Sequence, residues 1–170
     1  MTEARNKFQQ AERDLGTKQS QLKTEEDDLA KDYGRDEIFR ALKDKCVNKD
    51  AGEYTYELCW IGKTTQKSKK GHGNVGMGNF VRIDREMSDE EERHDGKGLG
   101  TGERIVLRYE DGQACWNGPR RKTDVWLACA EKEELWRVSE SEKCVYKMEV
   151  GTPAACEHVS EVKSVGKDEL

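Results

Sequence analysis

Six cysteines, Cys46, Cys59, Cys115, Cys129, Cys144 and Cys156, carry the most definite chemistry in the chain. Their count is even, they are dispersed, and no two form a C-x-x-C pair. Structural zinc ligands come in close pairs along the sequence, so this spacing reads as disulfide chemistry and not as a metal site. Disulfides persist in oxidising compartments. The last four residues, Lys167-Asp168-Glu169-Leu170, spell a retention address of the endoplasmic reticulum (ER) that a receptor reads. That address works only on a protein that has entered the secretory pathway, so the two signals agree.

Other reactive side chains assemble nothing comparable. His72, His94 and His158 lie in polar stretches or in the tail, with no Ser-His-Asp or Cys-His signature beside them. The acidic run Asp84, Asp89, Glu90, Glu91, Glu92 and Asp95 lacks the alternating ligands and central glycine of an EF-hand loop, so a solvated insertion is expected there. Opposed carboxylates of the kind used in glycoside hydrolysis arise by chance in so acidic a chain. The expectation is a non-catalytic protein with no metal and no cofactor.

The elements that position these residues fall into three segments. Charged residues make up 38% of the 170 and apolar ones only 34%, so part of the chain must lie outside a core. The net charge of -5 opposes a nucleic-acid partner, and the basic runs Lys67-Ser68-Lys69-Lys70 and Arg120-Arg121-Lys122 are offset by acidic neighbours. No stretch approaches the ~20 apolar residues of a membrane span, so no membrane partner is expected. Residues 1–32 read as a helical spacer. Phe8, Leu15, Leu22 and Leu29 recur every seven positions, with Ala4 and Ala11 interleaved, and Lys18 and Glu25 continue that second position less favourably. A spacer and a coiled-coil partner site both fit this pattern. Met1-Thr2-Glu3-Ala4-Arg5 enters the helix with no signal peptide, so a C-terminal portion of a longer ER-lumenal protein is expected.

Residues 33–157 change period. Short runs rich in aromatic and β-branched residues, at 53–60, 80–83, 104–109, 123–129, 135–139 and 144–150, predict a mainly β domain, a flattened barrel or sandwich. Arg104 to Tyr109 followed by Glu110-Asp111-Gly112 predicts a strand running into a hairpin turn. Two polar stretches, 64–78 and 84–102, read as loops. With few large apolar residues, disulfides must carry part of the stability. Residues 158–170 read as a tether for the retention signal.

Within this frame Tyr54-Thr55-Tyr56-Glu57-Leu58-Cys59, Gln66-Lys67, Cys115-Trp116-Asn117-Gly118-Pro119 with Arg121, Cys144-Val145-Tyr146 and Thr152-Pro153-Ala154-Ala155-Cys156 resemble the mannose 6-phosphate receptor homology (MRH) domain, a P-type lectin fold. The version they resemble is the one carried by glucosidase II β subunits, whose preceding coiled coil the N-terminal helix also resembles. The resemblance implies mannose-binding roles for Gln66, Arg121, Glu140 and Tyr146, with Trp116 near the sugar. The spacing of six residues before the tyrosine favours Glu140 over its neighbours Glu142 and Glu149, and Arg120 stands beside Arg121 as a second choice. It implies disulfides Cys46–Cys59, Cys115–Cys144 and Cys129–Cys156, where six cysteines alone allow about fifteen pairings. As partners it implies high-mannose N-glycans, a catalytic α subunit engaged through a region expected to be absent from this chain, and the ER retention receptor. Glucose trimming would then belong to the α subunit.

The residue types suit that chemistry. A neutral hexose offers hydroxyls that both donate and accept. Arg supplies a fork of donors, Glu accepts, and Gln does both through one amide. An aromatic ring can cover the apolar face of the sugar. An ER-associated degradation lectin of the same fold is the nearest alternative, but its paired Trp-Trp motif is replaced here by Tyr54-Thr55-Tyr56. An interaction module that binds no sugar is the other.

Overall fold

A computed structural model describes residues 2–156. They fall into two compact units that divide between Tyr33 and Gly34.

The first unit is helix α1, Thr2–Leu29. Its surface is laced by pairs four residues apart, Lys7 with Glu3 at 2.8 Å and Lys23 with Asp27 at 3.4 Å. Such exposed pairs contribute only a few tenths of a kcal/mol each, about 0.3–0.5. None of its side chains is buried.

The second unit is one eight-stranded sheet curled into a nearly closed barrel. Its strands are β1 (Cys46–Ala51), β2 (Tyr54–Cys59), β3 (Lys63–Ser68), β4 (Asn74–Asp89), β5 (Thr101–Glu110), β6 (Lys122–Cys129), β7 (Glu134–Glu142) and β8 (Val145–Thr152). The order is β1-β2-β3-β4-β5-β6-β8-β7, so β8 is inserted between β6 and β7. Every pairing is antiparallel except β6 with β8. The curl brings β1 and β7 together across a cleft lined by Asn48, Lys49, Asp50, Glu134 and Leu135, and no ladder joins them among the described residues.

Alternation builds the core. In β6, Thr123, Val125 and Leu127 point inward while Lys122, Asp124 and Trp126 are more exposed, the period of two that a half-buried strand demands. Leu58, Met77, Leu107, Tyr109, Met148 and Val150 complete the interior. Trp60 stacks on Phe39, their ring centroids 6.3 Å apart. Gly78 is required where β4 crosses β5. Its φ is +149°, and a Cβ there would lie 2.6 Å from the Tyr109 backbone. Disulfides join Cys46 to Cys59, Cys115 to Cys144 and Cys129 to Cys156.

Three sequence expectations are corrected. The stretch 64–78 is not a loop but most of the β3–β4 hairpin, whose polar residues are tolerated because ladder hydrogen bonds satisfy the backbone. In 84–102, β4 continues to Asp89 and β5 begins at Thr101, so the connection spans only 90–100. That connection is tied down: Lys147 Nζ lies 2.6 Å from Glu90, Lys97 Nζ 2.6 Å from Glu134, and Arg93 Nη2 3.0 Å from the buried Glu149. Finally, Asp111-Gly112 is no two-residue turn. The chain makes an excursion over 111–121 before β6 starts, because Gly112 is packed between the Arg121 carbonyl and the β4 backbone at Gly76 and Met77.

Tyr109 is fully buried, and its hydroxyl accepts from the Ile61 N–H and donates to the Cys59 carbonyl, both at 3.2 Å. Burial pushes its phenol well above the usual range, so the proton stays available to that carbonyl. Tyr109→Phe should therefore destabilise the domain by about 1–3 kcal/mol, since it strands the Ile61 N–H and removes one of the two donors to the Cys59 carbonyl, which keeps the Gly62 N–H. Urea unfolding measures this, and an unchanged midpoint would mean that water or a local shift replaces the hydroxyl.

Candidate functional site

Gln66, Glu140 and Tyr146, from three strands, gather around Tyr56, and Arg121 is tied to their neighbourhood through the backbone. Gln66 stands on β3 opposite Tyr56 of β2, and its Nε2 donates to the Tyr56 hydroxyl at 3.0 Å. Tyr56 is half-buried, and burial pushes its phenol up, with Tyr146, Tyr54 and Glu140 adding to the effect through space. β2 and β3 thus share one electrostatic environment with the end of β7 and the start of β8.

Glu140 and Tyr146 are partners in the β7–β8 ladder. The Glu140 carboxylate turns back to accept the Cys144 N–H at 2.7 Å. Cys144 has φ +64°, a left-handed conformation that costs about 1–2 kcal/mol for a residue bearing a Cβ. The Glu140 hydrogen bond and the Cys115–Cys144 disulfide hold it there. Tyr146 follows two residues later, 6% exposed.

Arg121 ends the 111–121 excursion. Its backbone N–H donates to Gln113 at 3.1 Å and its carbonyl accepts from Gly112 at 2.8 Å. Its Nη1 donates to the Ala114 carbonyl at 2.8 Å, which fixes the guanidinium, and its buried Nε has no hydrogen-bond partner among the described residues. The backbone carries the arrangement onward in both directions. Gln113 N–H donates to Gly76 at 2.8 Å, beside Val75, the partner of Gln66. Lys122 N–H donates to the Cys144 carbonyl at 3.2 Å.

Beneath the cluster, a buried hydrogen-bonded chain crosses the interior. Thr64 Oγ1 donates to Thr123 Oγ1, and Thr123 Oγ1 donates to the Met77 carbonyl, each at 3.1 Å. β3 and β6 are not neighbours in the sheet, so this chain sets the distance between the Gln66 and Arg121 sides of the site.

Trp116 stands apart. Its ring is 86% exposed, with Lys143 Nζ 5.4 Å from its centroid, and Lys143 also donates to the Asn117 carbonyl at 2.9 Å. The neighbours weighed in the sequence lie elsewhere. Arg120 is exposed and paired with Asp111 at 2.6 Å, Glu142 is exposed, and Glu149 is buried against Arg93. The retention residues Lys167 to Leu170 lie outside the described residues. Tyr56 is the site residue that sequence reasoning missed. Tyr54 is exposed and Thr55 and Tyr56 are half-buried alike, so only the β2–β3 register sets Tyr56 against Gln66.

The three-disulfide barrel with this polar end is an MRH domain. Over residues 2–170 the sequence matches the profile of a family described as glucosidase II beta subunit-like protein. Glucosidase 2 subunit beta of Mycosarcoma maydis is 37% identical over 137 residues, 81% of this chain and 22% of that protein. The Homo sapiens subunit is 32% identical over 156 residues, 91% of this chain and 27% of that one. Among solved structures, the MRH domain of glucosidase II beta bound to mannose is covered completely by 70% of this chain, at 32% identity and a TM-score of 0.50. The Yos9 MRH domain complexed with alpha3,alpha6-Man5 matches 68% of this chain and 79% of its own, at 19% identity and a TM-score of 0.54, a likeness of fold. The chain belongs to the glucosidase II β subunit-like family. It spans about a quarter of the length of the relatives it matches.

Thr123→Val keeps the shape and removes the hydroxyl. It leaves the buried Met77 carbonyl short of a partner and leaves the Thr64 hydroxyl only the Gly78 carbonyl, at 3.5 Å, so a loss of about 1–3 kcal/mol is expected. Thermal unfolding with Thr64→Val and the double variant as a cycle checks it. Strict additivity of the two losses would mean that no hydrogen bond joins them.

Proposed function

We propose that this chain is the glycan-binding portion of a glucosidase II β subunit, an ER-lumenal lectin that holds terminal mannose on high-mannose N-glycans and catalyses no reaction itself. The observation that carries this reading is the grouping of Gln66, Glu140 and Tyr146 around Tyr56, with the segment that ends in Arg121 hydrogen-bonded to Cys144 through Lys122. Membership of the family supports it, as does the likeness to a domain solved with mannose bound.

In this reading Arg121 donates to sugar hydroxyls from a guanidinium already fixed on the Ala114 carbonyl. The Glu140 oxygen not engaged by Cys144 accepts. Gln66, its Nε2 on Tyr56, turns its carbonyl oxygen to a hydroxyl. Mannose differs from glucose in its axial 2-hydroxyl. A site built around that group discriminates strongly, because glucose would leave buried polar partners unmet. Trp116 lies outside this polar set and is suited to stack on a second sugar of the chain. Tyr56 is neutral at physiological pH and acts by positioning Gln66.

The physiological role is tethering. A catalytic α subunit removes glucose while this domain holds a mannose-bearing arm of the same glycan, which raises the local concentration of the scissile bond. The ER-associated degradation lectin is the weaker reading, since the likeness to Yos9 is one of fold at 19% identity.

Titration of the oxidised chain with α1,2-linked mannobiose should give saturable binding that a glucose disaccharide does not reproduce. Arg121→Ala should weaken it by at least about tenfold, the scale of one charged hydrogen bond. Silence of the intact protein toward mannosides would sink the lectin reading. Reduction of the disulfides should abolish binding as well, because Cys115–Cys144 ties the Arg121 excursion to the turn before Tyr146. Full affinity in protein shown to be reduced would remove that disulfide from the account.

A further inference from the structure

Helix α1 leaves its apolar stripe uncovered. Phe8, Leu15, Leu22 and Leu29 are 63%, 59%, 60% and 74% exposed. They fall every seven residues and so form a seam along one face. The interleaved seam positions are Ala4, Ala11, Lys18 and Glu25. Beside the seam, Arg5 and Lys7 lie near the start of the helix, while Glu25, Glu26 and Asp27 crowd its end; over the first half as a whole Glu3, Glu12 and Asp14 balance Arg5, Lys7 and Arg13.

We propose that α1 pairs antiparallel with α1 of a second copy of this chain, in the register that sets Leu29 opposite Ala4 and Leu22 opposite Ala11. Large residues then meet small ones in four of the layers, which lets the backbones approach and fills each gap. The remaining layers oppose Phe8 to Glu25 and Leu15 to Lys18, two long side chains whose stems cover apolar surface while their charges reach the rim. There Glu25 meets Lys7 of the other copy, and Lys18 meets Asp14. On the flank of the seam Arg5 faces Glu26. Basic and acidic ends are matched twice by the two-fold symmetry.

Other arrangements fail on charge. Parallel pairing stacks Lys18 on Lys18 and Glu25 on Glu25 inside the seam, and lays one acidic end against the other. Sliding the antiparallel pair one heptad toward the acidic end breaks Leu22 from Ala11 and Arg5 from Glu26, and sets Glu12 against Glu26. The second copy is thus the occupant that fits, because reversal brings Arg5 to Glu26 and Lys7 to Glu25 twice over.

Sedimentation of the whole oxidised chain between about 10 µM and about 1 mM tests this, a window suited to weak self-association. A concentration-dependent dimer is expected, and Leu15→Ser with Leu22→Ser should abolish it in that range. Arg5→Glu should weaken it about fivefold or more, because the flank pair is lost twice. Combining Arg5→Glu with Glu26→Arg should restore it, since only antiparallel pairing brings these residues together. A monomer throughout overturns the proposal, as does a dimer indifferent to Leu15 and Leu22. Failure of the charge swap to restore a dimer that Arg5→Glu weakened overturns the antiparallel register, and it does so whether or not the leucine variants keep their helix.

Discussion

The parallel alignment of β6 with β8 is the constraint on which the rest depends. Parallel strands start at the same end, so the residues just before β6 and those at the head of β8 are forced together. The segment ending in Arg121 meets the turn at Cys144, just ahead of Tyr146, for that reason. The pair Lys122 with Val145 opens the ladder, and Cys129 with Thr152 closes it. Two disulfides clamp the two ends: Cys115–Cys144 ahead of both strands, Cys129–Cys156 at their exit. Each closes a loop of nearly the same length, 29 and 27 positions, as a parallel pair bridged at both ends requires. Loops of this size are worth about 2–4 kcal/mol apiece. β7 is the return path that makes parallel pairing possible, and it lays Glu140 beside Tyr146 on the way.

So polar a chain needs such clamps. Interior positions that an apolar domain would fill with leucine hold Thr64, Thr123 and Thr152 here; Thr64 and Thr123 are hydrogen-bonded across the barrel, and Thr152 caps the Ala154 N–H. A satisfied hydroxyl network specifies spacing in a way that interchangeable methyl contacts do not. Glu149 follows the same logic at the other end of β8. Arg93, Lys147 and Arg137 surround its buried carboxylate, and one oxygen faces Arg93 at 3.0 Å but out of line for a hydrogen bond. The 90–100 connection is held in place by the need to neutralise that charge.

How much of this the sequence disclosed follows from what each strand does. β2, β5, β6 and β8 bury alternate apolar residues, and their periodicity was readable. β1 and β3 carry Asn48, Lys49, Asp50, Lys63 and Lys67, so composition spoke for loops while ladder bonding made strands. Acidity made 84–102 read as a solvated loop, because nothing local reveals that Arg93 reaches a glutamate 56 residues away. The turn signal Asp111-Gly112 was misleading in its consequence. The glycine answers a need for close packing against β4, not for a two-residue hairpin. The candidate residues were found through their spacing from cysteines. Tyr56 was overlooked because its role depends on register, which becomes legible only when β2 and β3 are paired.

The scale of the site bears on why a lectin of this kind should be joined to anything. One mannosyl residue has about a dozen non-hydrogen atoms, and at about -0.3 kcal/mol per atom its binding comes to a dissociation constant of a few millimolar. Free in solution, such a site would stand mostly empty at ordinary glycan concentrations. Under the proposed tethering to a catalytic centre, it would meet an effective concentration that is itself about millimolar for a short connection, so occupancy would rise to roughly a quarter to a third. Weak affinity would then be an advantage in the proposed assembly, because the glycan could leave after each turnover. Stability and affinity are accordingly separated in this fold. Disulfides, the threonine chain and the buried Glu149 cluster hold the barrel, and in the proposed reading the sugar would meet only a few side chains at one end of it.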